Sequence, residues 1–288
     1  MKPEITVEKT LMPVNSEPSP RKMQSKSRNP AGAIATPLLF AAILAAPGAF
    51  SAPAPPITTA AASLPATLAI PAFHMTYRVL RGSLHIGTAQ YTLERNGRSW
   101  YFHSEAHATG LAGIFFHSTF RESTRFTIAD RLIRPFAYAY SDSGDKSHDE
   151  TIRFDWANGK ALDTQNGKTK TPALAPGRLD RLSAQLAISR RLAAGVPVTV
   201  PYHIIKGGEV DTYHLVRKKN ETITTPAGKF ETVLVVRDNP GSKRTTRFWL
   251  APKYAWLPVK MQHVSPGDAT YSFILEKLQW LATKSKPQ

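Results

Sequence analysis

Histidine is the residue type best suited to hold a metal ion or move a proton near neutral pH, and this chain of 288 residues has nine of them. A metal site on a β-strand needs ligands at positions i and i+2, which share one face about 7 Å apart. No such pair occurs, and even His103 and His107 would lie about 13 Å apart on an extended strand. His-Glu-x-x-His is also absent from the sequence. We therefore predict no metal site from His74, His85, His103, His107, His117, His148, His203, His214 and His263.

Nucleophilic catalysis has no better support, because the sequence lacks Gly-x-Ser-x-Gly and the glycine-rich loops that bind phosphates. Asp180 precedes Ser183 by three residues without a neighbouring histidine, so we interpret this pair as hydrogen bonding at a helix start. Acidic residues on strands could meet as a glycosidase-type pair, although such residues usually face solvent. They are Glu105, Glu122, Asp142, Asp145, Asp149 and Glu150. We expect no catalysis and no cofactor, with an unrecognised hydrolase of envelope lipid or polysaccharide as the enzymatic alternative.

Apolar residues flanked by glycine are more suggestive of binding. Leu111, Ile114, Phe115 and Phe116 would form a lip over a ligand cavity or a tip that touches a membrane. Phe115 and Phe116 could equally be a buried strand end. Trp249 is a further candidate contact, although a tryptophan on a strand most often packs in the core. These five residues are our predicted ligand-binding set.

The elements that must position these residues are β-strands. Residues 100–107 alternate between an apolar and a polar face with period two. Asn-Gly dipeptides at residues 96, 158 and 166 indicate tight turns. We count ten to twelve strands, one of them over residues 196–206. The pattern predicts a mainly β fold, a large antiparallel curved sheet or half-barrel with one inserted α-helix.

That single helix is predicted from Arg178 to Ala194. Leucines recur along one face, Pro176-Gly177 precede the segment, and Gly195 follows it. Asp180 is placed to cap the first turn.

The N-terminus carries an apolar run of about ten residues from Leu38, too short for the roughly 20 residues of a membrane span. We predict a signal peptide over residues 1–51, with Met23 as an alternative start. An Ala/Pro-rich flexible linker would follow at residues 52–70, then one β-rich domain at 71–281 and a tail at 282–288. Signal removal would leave no transmembrane span and a soluble periplasmic protein.

Composition adds two constraints. The chain has no cysteine, which excludes a lipidated N-terminus, disulfides and thiolate zinc sites. The formal net charge is +16, and the part after residue 51 still has 31 basic against 18 acidic residues. A basic periplasmic protein favours lipid or another anionic envelope component as partner over nucleic acid, although a basic surface can also mean solubility alone. No protein partner can be named from the sequence.

Several short segments together resemble a bacterial exported family, the domain of unknown function 3108. The likeness extends over about residues 72–280 and implies an exported, predominantly β protein without an assigned activity. A looser similarity to lipoprotein-carrier-type envelope proteins implies a curved sheet around an apolar cavity. The segments that carry the family resemblance are 110–116, 134–138, 154–156, 180–183, 225–230, 249–252 and 257–260.

These observations favour a non-catalytic periplasmic protein that binds an amphipathic or anionic, lipid-like envelope molecule. The alternative is an envelope assembly or protein-interaction factor that uses exposed strand edges.

Overall fold

The computed structural model describes residues 69–109, 118–238 and 244–282. Within them the helix α1 spans Arg181–Ala193, and 3-10 turns occupy Lys146–His148 and Pro252–Tyr254. The strands are β1 (Phe73–Arg81), β2 (Leu84–Asn96), β3 (Ser99–Ala108), β4 (Thr119–Ala129), β5 (Leu132–Asp142), β6 (Glu150–Asp155), β7 (Lys160–Gln165), β8 (Lys168–Lys170), β9 (Arg178–Leu179), β10 (Tyr202–Lys206), β11 (Glu209–Thr225), β12 (Gly228–Asp238), β13 (Thr245–Ala251), β14 (Leu257–Val264) and β15 (Tyr271–Trp280).

Some predicted features lie outside the described residues. They are the signal peptide at 1–51, most of the linker, the tail from residue 283, and the apolar candidates Leu111, Ile114, Phe115 and Phe116. All of these stay predictions. Ile70, where the predicted linker ends, is buried in the core.

The strands form one sheet in the order β8-β7-β6-β5-β4-β3-β2-β1-β15-β14-β13-β12-β11-β10-β9. Its neighbours pair antiparallel, apart from the parallel pair β9 and β10. The mainly β class with a single helix is thus confirmed for the described residues. The predicted count of ten to twelve strands is wrong, since the described residues form fifteen, two of which, β8 and β9, have only three and two residues and show no alternation. The strand predicted over 196–206 begins only at Tyr202, after Pro197 and Pro201, which lack the N–H that a ladder needs.

Alternation along the strands builds the core. In β1 the side chains of Phe73, Met75, Tyr77 and Val79 are buried, with less buried residues between them. Aromatic rings from neighbouring strands meet edge to face, as Tyr77 does with Tyr91 at 5.5 Å between ring centroids. Such pairs add about 0.5–1.5 kcal/mol each to the burial of apolar surface.

The sheet rolls up until its two ends touch. The turn between β10 and β11, Gly207-Gly208, donates backbone N–H groups to side chains of β6 and β7. Beside it, the Lys170 ammonium of β8 forms a salt bridge to Glu209 at 3.4 Å. No strand ladder joins these ends in the described residues, so side chains hold them together.

Helix α1 lies inside the rolled sheet. Eleven of its thirteen residues are buried, although a helix lying on one side of a sheet would expose a face. It begins at Arg181 and not at Arg178, because Arg178 and Leu179 pair with β10 as strand β9. The helix therefore fills the interior that the likeness to lipoprotein-carrier proteins led us to expect as an apolar cavity. A gap of about 20 Å³ beside Leu186 and Ser189 has room for about one water molecule.

Across the part of the chain that the structure describes, we find no helix with the length and apolar character needed to cross a membrane.

Candidate functional site

Trp249 is the one predicted ligand contact that the structure describes. Its side chain is buried, its indole Nε1 donates to Glu221 Oε2 at 2.7 Å, and the Lys260 ammonium lies 4.6 Å from the ring centroid. It does not line the pockets described below. Its role in binding stays a prediction.

The acidic residues named from the sequence divide into two groups. Glu122 and Glu150 come together in the interior around Arg181. The other four do not join them: Glu105 pairs with Arg121 on the surface, and Asp142, Asp145 and Asp149 accept hydrogen bonds within the β5–β6 connection. Residues 69–109, 118–238 and 244–282 contain no group of three or more His, Cys, Asp or Glu residues arranged to hold a metal ion.

The interior polar cluster consists of Arg181, Glu122, Tyr138, Glu150 and Asp163. Arg181, in the first turn of α1, donates to Glu150 Oε2 at 2.6 Å and to the Tyr138 hydroxyl at 2.6 and 2.9 Å. The Tyr138 hydroxyl donates to Glu122 Oε1 at 2.7 Å, and Arg181 Nε lies 3.8 Å from the same oxygen. All five side chains are buried. Glu122 and Glu150 therefore share one guanidinium away from water, with the Asp163 carboxyl nearby.

Burial controls the charge of this cluster. Desolvation raises the pKa of Glu122 to about 7, despite the opposing effects of Arg181 and the Tyr138 hydrogen bond. Desolvation and the nearby Glu150 raise the pKa of Asp163 to about 7. Glu122 Oε2 and Asp163 Oδ1 are buried and accept no hydrogen bond from the described residues. The cluster can therefore hold protons at neutral pH.

Asp180 and Ser183, predicted at a helix start, lie at the start of α1. Asp180 Oδ1 accepts from the backbone N–H of Leu182 and Ser183 at 2.9 and 2.7 Å, and its Oδ2 accepts from the Thr124 hydroxyl at 2.7 Å. The Ser183 hydroxyl accepts from the Asp180 N–H at 3.1 Å, which completes a capping box. Burial raises the pKa of Asp180. Asp180 and Ser183 thus form the hydrogen bonds of a helix start, as the sequence predicted.

A second region with binding character lies on the surface. We call it the Trp156 groove: two adjoining pockets of about 210 and 20 Å³ that share Leu132, Ile133 and Gly177. The larger pocket is bounded by the β4–β5 turn, Trp156 after β6, and the segment before β9. Two charged residues, Asp130 and Arg134, belong to its lining. Its walls are otherwise mainly apolar, formed by Ala129, Leu132, Ile133, Trp156, Leu174, Ala175 and Pro176.

The walls of the groove are fixed by backbone hydrogen bonds. The Trp156 indole donates to the Pro135 carbonyl at 2.6 Å, and the Leu174 N–H donates to the Gly159 carbonyl at 2.9 Å. Rigid walls of this kind favour a site that exists before a ligand arrives.

Positive charge lines both pockets. The Arg134 guanidinium lies 4.7 Å from the centroid of the Trp156 ring, and it forms no salt bridge with any described carboxylate. Arg190 and Arg191, in the last turn of α1, line the smaller pocket. Burial and the neighbouring Arg191 lower the pKa of Arg190 to about 10. The groove thus combines apolar walls with guanidinium groups.

A comparison with protein families shows to which family the chain belongs. The model of the family described as "Protein of unknown function (DUF3108)" matches residues 72–274, which is more than half of the chain. The chain belongs to the DUF3108 family. The resemblance predicted from the short segments is therefore confirmed. The motifs that carry this DUF3108 likeness include 134–138 and 154–156, which contribute Arg134 and Trp156 to the groove.

Solved structures with some similarity to this DUF3108 member have low sequence identity. A Brucella abortus protein described as β-barrel-like, of domain of unknown function DUF1849, has 11% identity and a TM-score of 0.49, covering 74% of this chain and 99% of its own. A presumed lipoprotein from Parabacteroides distasonis has 12% identity and a TM-score of 0.31, covering 75% of this chain and 100% of its own. A presumed exported protein with a YmcC-like fold from Bacteroides fragilis has 12% identity and a TM-score of 0.32, covering 72% of this chain and 95% of its own. No curated protein sequence matches the chain.

The sequence did contain a signal for the interior polar cluster of this DUF3108 protein. Glu122 lies in phase with Phe120 and Phe126 on β4, and Glu150 lies in phase with Ile152 on β6. An acid on the apolar face of an alternating strand indicates a buried, partnered carboxyl. The Trp156 groove had no comparable signal, because its walls come from three separate segments.

Proposed function

We propose that this DUF3108 protein is exported to the periplasm and binds there, without catalysis, an anionic amphipathic molecule of the cell envelope. The binding site is the Trp156 groove, and the interior of the rolled sheet is not the site. Helix α1 occupies that interior, so a ligand has to bind at the surface.

The observation that carries this proposal is the position of Arg134. Its guanidinium lies at a mainly apolar pocket and stacks on the Trp156 ring, and it forms no salt bridge with the described carboxylates, including Asp130 of the same pocket. A cation that forms no salt bridge and lies beside an apolar wall is suited to an anionic head group attached to an apolar body.

The size of the groove limits what it can enclose. Its larger pocket, at about 210 Å³, is below the roughly 300–1,000 Å³ of sites that enclose a drug-sized ligand. It would therefore hold the head group and the first carbons of a chain, with the remainder of the ligand outside. This fits a protein that contacts a lipid-like molecule without enclosing it.

Calorimetric titration with dodecyl phosphate below its micelle concentration tests the proposal. The mature chain that follows residue 51 is purified, and Arg134→Gln removes the guanidinium charge from the groove. We expect dodecyl phosphate to bind, and Arg134→Gln to weaken binding about tenfold, the size of effect given by loss of one charge-assisted hydrogen bond.

Two comparisons make this titration specific. Arg98→Gln changes an exposed arginine in the β2–β3 turn and should leave the affinity unchanged. Dodecanol, which has the chain without the charge, should bind more weakly than dodecyl phosphate. Equal affinities of wild type and Arg134→Gln, or no binding at all, would refute the groove as an anion site.

Export is tested separately by cell fractionation and N-terminal sequencing. We expect the protein in the periplasmic fraction, with an N-terminus near residue 52. Recovery from the cytoplasm with residues 1–51 still attached would contradict the proposed location without affecting the binding result.

A further inference from the structure

The two ends of the rolled sheet meet at a seam with an unusual composition. We define the seam as the Gly207-Gly208 turn together with Glu150, Asp163 and Lys170. The Gly207 N–H donates to Glu150 Oε1 at 2.6 Å, and the Gly208 N–H donates to Asp163 Oδ2 at 2.7 Å. Two neighbouring amides thus bind two neighbouring carboxyl groups.

These carboxyl groups lie close to each other. Glu150 and Asp163 belong to the paired strands β6 and β7, and their carboxyls accept from the adjacent backbone amides of Gly207 and Gly208, which holds them side by side. Two carboxylates cannot hydrogen-bond to one another, since each is only an acceptor. One proton between them supplies the missing donor. Asp163 Oδ1, which is buried and accepts nothing from the described residues, has room for such a bond.

The cations around Glu150 and Asp163 do not neutralise a second negative charge on this pair of carboxyls. Arg181 of α1 forms salt bridges with both Glu150 and Glu122 of β4. Around the seam, Lys206 pairs with Asp211 at 3.0 Å and Lys170 with Glu209 at 3.4 Å.

The remaining titratable groups that face the cluster do not change the net charge around Glu150 and Asp163. Tyr138 and Tyr140 of β5 and Tyr213 of β11 have pKa values raised by burial, so they are neutral near pH 7. The Arg237 guanidinium of β12 lies 3.7 Å from the Tyr213 ring centroid. Asp180 lies at the helix end, where backbone amides and Thr124 surround it.

We infer that the seam is a proton-dependent latch: a proton shared by Glu150 and Asp163 holds the β10–β11 turn against β6 and β7, and its loss loosens that contact. With the proton present, the pair carries one negative charge and each carboxyl keeps its glycine amide. Without it, two buried anions repel each other beside a single shared guanidinium. Rising pH therefore opens the seam, while the rest of the sheet keeps its ladders.

The raised pKa of Asp163, about 7, places this change near neutral pH. A periplasmic protein would experience that range directly. The seam shares no residue with the Trp156 groove, so the latch does not depend on the proposed binding function.

Amide hydrogen exchange followed by NMR on the full chain tests the latch. The rates of Gly207 and Gly208 are divided by the rate of an unstructured glycine at each pH, which removes the intrinsic dependence of exchange on hydroxide. We expect this ratio to rise about tenfold between pH 5.5 and pH 8, equivalent to one pKa unit of interaction. The Val235 amide, inside the β12–β13 ladder, exchanges on global unfolding, so it should stay far better protected than Gly207 and Gly208 at every pH.

Asp163→Asn provides the decisive variant. Its amide oxygen can accept from Gly208, and its NH₂ can donate to Glu150 at every pH, so the ratio should stay at its low-pH value. Glu94→Gln, an exposed acid on β2, should behave as wild type. A wild-type ratio that does not change with pH, or a dependence that persists in Asp163→Asn, would overturn the latch. The wild-type series decides the matter even if Asp163→Asn does not fold.

Discussion

The Arg181 guanidinium and the Glu150 carboxylate meet at 2.6 Å inside the rolled sheet, and they join the first turn of the only described helix to strand β6. Both side chains are buried, at 10% and 2% exposure. The same guanidinium faces the rings of Tyr138 and Tyr140 at 5.4 and 5.3 Å from their centroids. One side chain therefore fixes the helix against two neighbouring strands.

Removal of this cation should destabilise the protein strongly. Arg181→Met leaves Glu122 and Glu150 buried without a counter-charge, and we expect the free energy of unfolding to fall by about 3–5 kcal/mol at neutral pH. Urea denaturation followed by circular dichroism measures the loss. Arg121→Met, which breaks the exposed pair with Glu105, should cost less than about 1 kcal/mol. Similar losses in both variants would show that the interior pair does not hold the helix.

Stability should also depend on pH through Glu122. Its pKa is about 4.5 in the unfolded chain and about 7 in the folded protein, so the folded state binds the proton more tightly. The resulting stabilisation, of order 3 kcal/mol, is complete below about pH 4.5 and is lost as pH rises through 7. We therefore expect the free energy of unfolding to fall between pH 5 and pH 8.

Glu122→Gln isolates this contribution, because the amide cannot ionise and still accepts from Tyr138. The decrease between pH 5 and pH 8 should be smaller in Glu122→Gln than in wild type, as measured by urea denaturation at each pH. Glu94→Gln should retain the full decrease. If Glu122→Gln has the slope of wild type, the carboxyl is not protonated in the folded state.

The sequence could indicate local features of this fold and not the contacts between distant segments. The Asn166-Gly167 turn was readable because both residues adopt the left-handed conformation that this dipeptide favours. Asp130 and Arg131 make a similar turn, with φ of 50° and 61°, without any such signature. The Trp156 groove beside that turn could therefore not be predicted from the sequence.

Helix α1 is a second case in which local features were predictable and tertiary contacts were not. Its polar cap was predictable, since Asp180 and Ser183 are local to the helix start. Its position inside the sheet was not, because Arg181 and Arg190 are buried against partners that lie far away in the sequence, Glu150 and the Arg131 carbonyl among them. Burial of charge depends on tertiary contacts, for which hydrophobic periodicity gives no measure.

The helix start offers a test of whether Asp180 and Ser183 are structural. Asp180→Ala removes two amide bonds and the bond to Thr124, so we expect a loss of about 2 kcal/mol in the free energy of unfolding. Ser183→Ala should lose about 1 kcal/mol. Dodecyl phosphate binding by the folded variants should equal that of wild type. Lost binding with unchanged stability in either variant would instead indicate a role of these residues in ligand chemistry.

The close approach of the sheet ends can be measured at Gly208. Its φ of +76° already disfavours any residue with a Cβ, and a Cβ there would collide with the Lys170 side chain of β8. Gly97 has a similar φ of +60°, and a Cβ at that position would meet nothing within 4 Å. Gly97→Ala should therefore cost only the left-handed conformation, about 1 kcal/mol. We expect Gly208→Ala to cost at least about 1 kcal/mol more, the effect of overpacking.

A double-mutant cycle assigns that extra cost to the seam. Lys170→Gly removes the Cβ, Cγ and Cδ atoms that would collide with the new methyl group, so it should recover part of the loss in Gly208→Ala. The same Lys170→Gly change should add independently to Gly97→Ala, because Gly97 lies in the distant β2–β3 turn. Urea denaturation of the single and double variants gives the coupling energy. A value near zero at Gly208 would mean that β8 and the β10–β11 turn are not in contact in solution, and that the sheet does not close at this edge.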